Sequence, residues 1–157
     1  MRNFNALRLL ILLLPISQSA QAACNIVGGK AYGDCAGVTV REGEKPALNV
    51  RSSVHESDIV AGATVYPGGS LHLTGISNGN IVVKRGGRLF VSGVVNGTVR
   101  NDGGDVEIEG IIGHLASNGG NAIIGGQVGN FSGTGPARFK KGSVLQGTPL
   151  ERTTRLP

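Results

Sequence analysis

One phrase recurs four times between Gly68 and Phe131 and limits what this chain can fold into. It reads Gly68-Gly69-Ser70-Leu71-His72-Leu73-Thr74-Gly75, then Gly86-Gly87-Arg88-Leu89-Phe90-Val91-Ser92-Gly93. The third and fourth copies are Gly103-Gly104-Asp105-Val106-Glu107-Ile108-Glu109-Gly110 and Gly119-Gly120-Asn121-Ala122-Ile123-Ile124-Gly125-Gly126. The common pattern is Gly-Gly-x-apolar-x-apolar-x-Gly. Successive glycine pairs are 18, 17 and 16 residues apart. A second apolar position follows each copy, at Gly79-x-Ile81, Gly97-x-Val99, Gly113-x-Leu115 and Gly129-x-Phe131. The length variation falls between these fixed pieces, where corners tolerate an extra residue.

Apolar residues alternate with others inside the phrase, which is the period of a strand and not of a helix. Glycine at this density would cost a helix roughly 1 kcal/mol per residue. Equal phrases at nearly constant phase predict equivalent strands stacked in parallel, one set per turn. The expected fold is therefore an all-β, single-domain parallel β-helix (β-solenoid) of about six turns, with 16–18 residues and three short strands per turn. At ~4.8 Å per stacked strand the rod is roughly 29 Å long. Its ends are degenerate. Lys45–Arg51 keeps the alternation without the glycine pair, Ile59–Val65 reads as the second half of that rung, and Lys141–Gly147 reads as a last copy.

Outside the predicted solenoid (45–148), residues 1–22 have the pattern of a secretory signal peptide. Arg2 and Arg8 precede the apolar run Leu9–Leu14, and Ala20-Gln21-Ala22 is a small-x-small cleavage site. The run is too short for a membrane span of ~20 residues. Cys24 and Cys35 are the only cysteines, and in an exported chain they predict a disulfide stapling an N-terminal cap over 23–44. Lipid attachment at Cys24 is the weaker reading, because Gln21 stands where Leu is usual. Residues 149–157, polar and basic with a proline at each end, are expected to be a flexible tail. Aromatic residues make up 4% and Trp is absent, so the interior must be a narrow aliphatic stack. The net charge of +5 includes Arg2 and Arg8 of the leader, and the remainder is too small to argue for nucleic acid.

In a parallel stack, equal positions of successive turns become neighbours. One outward column then runs Ser70, Arg88, Asp105, Asn121, and the next His72, Phe90, Glu107, Ile123. Arg88 above Asp105 is an expected surface ion pair, worth about 0.2–1 kcal/mol. Outward Phe90 and Ile123 require either a covering segment, for which Gly135–Lys141 is the candidate, or a partner. The candidate partner face is His72, Arg88, Phe90, Asp105, Glu107 and Ile123. The acidic run Asp102, Asp105, Glu107, Glu109 reads as a solvated face. Calcium-binding coils place aspartate inside every glycine turn, and here it occurs there once. His55, His72 and His114 adjoin no nucleophile or second ligand in sequence. No Gly-x-Ser-x-Gly elbow or nucleotide fingerprint is present. No catalytic residue, metal ligand or cofactor is therefore expected.

The stretches Val94-Val95-Asn96-Gly97-Thr98-Val99 and Val106–Gly113 resemble the rungs of bactofilin-type polymer-forming solenoids over roughly residues 62–131. That resemblance implies a β-solenoid and, through polymer formation, a homo-oligomer built by edge stacking. The leader and the cysteine pair instead belong to a periplasmic or extracellular protein. The expectation for function is an exported, non-enzymatic solenoid that binds another protein through an outer face, as a scaffold or an immunity-type inhibitor. Its alternatives are a structural protein stacking end to end and a small carbohydrate-binding or carbohydrate-active protein.

Overall fold

The computed structural model describes residues 24–27, 30–33, 35 and 47–157. They form a parallel β-solenoid of about six turns with no helix. Three ladders of stacked strands run up the rod. The first face contains Ala47–Val50, Gly62–Val65, Ile81–Lys84, 99–102, 115–117 and 131–132. The second contains Ser53–Glu56, Ser70–Leu73, Arg88–Val91, 105–108, 121–124 and Ala137–Phe139. The third contains Ile59–Val60, Ile76–Ser77, 94–95, 111–112, 127–128 and Val144–Leu145. In the middle turns the corners do not interrupt the strand. Val94–Ile108 and Ile111–Ile124 each run unbroken from the third face through the first to the second, bending at register shifts such as Asn101/Asp102.

The apolar positions of the repeat fill the interior in columns. Leu71, Leu89, Val106, Ala122 and Ala137 stack directly on one another, as do Ile81, Val99, Leu115 and Phe131. Nearly all of these side chains are fully buried. Fully burying one Val, Leu or Ile side chain is worth about 1.5–3 kcal/mol. Asn101 enters the core where it closes a corner. Asn101 donates from Nδ2 to the Gly104 and Asn121 carbonyls, and accepts the Gly104 N–H at 2.8 Å.

Glycine is required at one corner of four successive turns, at Gly75, Gly93, Gly110 and Gly126. A Cβ at Gly93 would overlap the carbonyl oxygen of Gly75, one at Gly110 that of Gly93, and one at Gly126 that of Gly110. The backbone of one turn here rests directly on the next. Gly68 is different: its φ is +79°, and nothing lies within 4 Å of a Cβ built there. One glycine is demanded by contact, the other by backbone conformation.

The N-terminal disulfide is as expected, whereas some rung assignments and the C-terminal end are not. At the start, Cys24–Val27 pairs in parallel beneath Ser53–Glu56, and Lys30–Tyr32 pairs antiparallel with it. Cys24 is disulfide-bonded to Cys35, so its sulfur is not free for a lipid thioether. The leader (1–22) and, within the expected cap, residues 23, 28–29, 34 and 36–44 fall outside the described residues. Ile59–Val65 is not half of one rung: Ile59–Val60 ends one turn, and Gly62–Val65 opens the next above Ala47–Val50. Gly135–Lys141 is not a separate covering segment, because its Ala137–Phe139 stacks in parallel on 122–124 as the next rung of the second face. Lys141–Gly147 accordingly continues to the third face, where Val144 and Leu145 stack on Gln127 and Val128. The C-terminal residues are not a free tail. Thr154–Leu156 lies antiparallel on Ala137–Phe139, and Thr148–Pro149 lies antiparallel on Val144–Leu145. Leu156 packs against the core, and burying that surface outweighs the chain entropy lost in ordering the turn.

Among the buried polar residues described (Glu56, Ser77, Asn101, Ser117 and Ser143), Glu56 is the ionisable one. Glu56 occupies the column of Leu73, Val91 and Ile108 and is fully buried. Its Oε1 accepts the Asp58 N–H at 2.7 Å, while Oε2 has no hydrogen-bond partner. Burial, outweighing that backbone hydrogen bond, raises its pKa. A raised folded pKa gives stability that is present below the unfolded value and lost as pH rises.

Glu56→Gln should therefore stabilise the fold at pH 7–8, by on the order of 1–2 kcal/mol, and have little effect near pH 4. Denaturant melts at the two pH values test this. Gly110→Ala should cost about 3 kcal/mol through overpacking against a backbone that cannot move aside. Gly68→Ala should cost about 1 kcal/mol from its left-handed conformation alone. Equal losses at the two positions would contradict the contact argument.

Candidate functional site

All six candidate partner-face residues lie on the outer side of the second face. The in-register pairings place His55, His72, Phe90, Glu107 and Ile123 in one column, and Ser70, Arg88, Asp105 and Asn121 in the column beside it. The lower part of the first column is an aromatic ladder. The His55 and His72 rings meet edge to face at 4.7 Å between centroids, and His72 and Phe90 do so at 4.6 Å. His55 Nε2 also lies 3.4 Å from Thr74 Oγ1. Desolvation first, and then the nearby His55, lower the pKa of His72.

Above the ladder the two columns border a groove of about 650 Å³ along the rod. Half-buried Phe90 and Ile123 line it, together with Arg88, Asp105 and Glu107. Its upper end is built from residues that the sequence analysis did not select: Pro136, Arg138, Arg155 and Leu156. A signal for Arg138 was available, since Ala137-Arg138-Phe139 repeats the apolar-x-apolar alternation. Proline beside Gly135 disguised it. Nothing in Thr154-Arg155-Leu156 marks a strand, because its place depends on antiparallel pairing with Ala137–Phe139.

The acidic run divides among cations instead of forming one site. Asp102, on the first face, is held by Arg100 at 2.7 Å and Lys84 at 3.3 Å. Burial would raise the Asp102 pKa, but hydrogen bonds from Asn118, Arg100 and Lys84 outweigh it and hold the carboxyl below its usual value. Arg88 sits 3.9 Å from Asp105, both well exposed. Lys140 reaches down past Gly125 to Glu107 at 3.2 Å and to Glu109. A side chain at Gly125 would collide with the Glu109 carboxylate. The hydrogen bond to Glu109, and then that to Glu107, raise the Lys140 pKa. Among the described residues, no three His, Cys, Asp or Glu side chains are grouped to hold a metal.

Two other features appear only in the folded chain. His114 Nε2 and Ser132 Oγ are 2.6 Å apart although 18 residues separate them. The pair is exposed, and no carboxylate among the described residues orients the imidazole, so it has the form of a surface hydrogen bond. On the third face Ile59, Ile76, Val94 and Ile111 form an outward aliphatic column, with the three isoleucines 43%, 37% and 49% exposed. Val94-Val95 and Ile111-Ile112 carried the signal, since a strand cannot bury both of two adjacent residues.

No family model, curated protein or solved structure matches the chain. Among the described residues, no helix is long and apolar enough to cross a membrane.

The lowered His72 pKa has a direct consequence. The unfolded chain takes up a proton near pH 6.5 that the folded ladder resists. The ladder's contribution is present above about pH 6.5 and is lost as pH falls through the depressed value. Glu56 contributes with the opposite sign over the same range, so the ladder is read from a difference: between pH 7.5 and 5 the melting temperature of His72→Gln should rise relative to that of the unaltered chain. A difference that stays constant with pH would remove the ladder as a source of pH dependence.

Proposed function

We propose that this chain is an exported, non-enzymatic β-solenoid that binds another protein through the outer side of its second face, as a periplasmic scaffold or an inhibitor of a secreted toxin. One observation carries the reading: the segment expected to cover Phe90 and Ile123 is another rung, and both side chains line an open groove. Half-buried apolar side chains in an open groove are the composition of a docking surface. The disulfide fits an oxidising compartment, and the pattern of residues 1–22 supports export.

End-to-end stacking is less well supported. Antiparallel strands finish two of the three ladders at the C-terminal end, and a further parallel turn cannot continue in register from a reversed strand. A sugar-binding role finds no Trp or Tyr in the groove to stack on a sugar ring.

A photo-crosslinking residue at Phe90 or Ile123, introduced into the full chain and expressed in its native cells, tests the proposal. A discrete protein adduct is expected from both positions and not from Val82 on the first face. Adducts absent everywhere, or equally abundant at Val82, would overturn it.

A further inference from the structure

The upper end of the groove contains an electrostatic mismatch that the fold does not resolve. Arg138 and Arg155 are direct cross-strand partners. Both are exposed, and both line the groove. Like charges directly opposite on one face are unfavourable. Every carboxylate of the acidic run is engaged elsewhere: Asp102 by Lys84 and Arg100, Asp105 by Arg88, and Glu107 and Glu109 by Lys140. The two guanidinium groups have no carboxylate partner among the described residues. Guanidinium is the side-chain group best shaped to bind a carboxylate through two parallel hydrogen bonds.

We infer that the groove receives an extended, acidic segment of the partner protein, with a carboxylate between Arg138 and Arg155 and apolar side chains against Ile123 and Phe90. This deepens the protein-binding reading and rests on it. The spacing fits. Ile123 lies one rung below Arg138 and Phe90 two rungs below Ile123, roughly 5 and 14 Å from Arg138 at ~4.8 Å per rung. An extended chain advances ~3.3 Å per residue, so a side chain two places from the acid meets Ile123 and one four places away approaches Phe90. Such a segment crosses the strands at right angles. The strand N–H and C=O groups beneath it are already bonded within the ladder, so recognition falls to side chains, as the paired arginines require. An acidic polysaccharide offers the same charge, but it has no apolar side chains to set against Ile123 and Leu156.

The test uses the full chain and fluorescence anisotropy with a dye-labelled peptide, Leu-Ser-Leu-Ser-Glu-Ser-Glu. Its counterpart has Lys in place of both Glu, and oligogalacturonate serves as the acidic sugar. The acidic peptide is expected to bind, to weaken with added salt, and to lose about tenfold in affinity in Arg138→Gln and in Arg155→Gln. Arg100→Gln, on the first face, should bind normally. Melting curves confirm that both groove variants remain folded, which their exposure favours. Equal binding of the Lys peptide would overturn the inference, as would binding of oligogalacturonate alone. If neither peptide binds while Phe90 and Ile123 still crosslink to a protein, the acidic-segment inference fails and the docking face stands. If crosslinking fails as well, both readings fall.

Discussion

Backbone resting on backbone governs this molecule. Each turn lies on the one before it at strand spacing, so the hydrogen bonds of every ladder and the contacts of the aliphatic interior repeat along one axis. The glycine column Gly75, Gly93, Gly110 and Gly126 is where that closeness is most severe, because each carbonyl occupies the space that the next Cβ would need. Interior columns and outward columns both follow from this one geometric condition.

Because stacking is in register, chemistry written far apart in the chain becomes adjacent. His55, His72 and Phe90 form an edge-to-face ladder across three turns. Lys140 meets carboxylates more than thirty residues earlier because the glycine at 125 leaves its path open. The same rule explains why the acidic run does not act as a unit. Asp102 turns to the first face, whereas Asp105, Glu107 and Glu109 share the second, and each is neutralised by the cation that register brings nearest.

Much of this was legible in the residues. Alternation within the glycine-bounded phrase specified strands, and constant phase specified parallel stacking. Those two facts together placed Arg88 against Asp105 and put Phe90 and Ile123 outside. The C-terminal region was read less well. Thr134 stands where the phrase has its first glycine and Pro136 where it has a variable residue, which hid the rung of Ala137 and Phe139, and Thr154–Leu156 has no local pattern of its own. Glu56 was equally hidden, since a carboxylate at an inward position contradicts the alternation that identifies the strand. The aliphatic column through Ile59, Ile76, Val94 and Ile111 was present as adjacent apolar pairs, but its continuity emerges only when the turns are superimposed.

By itself the sequence determined the architecture, the stack of aliphatic columns and the pairing of its two cysteines. These depend on periodicity and on contacts that repeat from turn to turn. Only the tertiary structure decided how the rod ends and what its open groove contains. There the chain reverses direction, and Arg155 reaches Arg138 through antiparallel pairing set by the burial of Leu156, a contact that occurs once and so leaves no period to read.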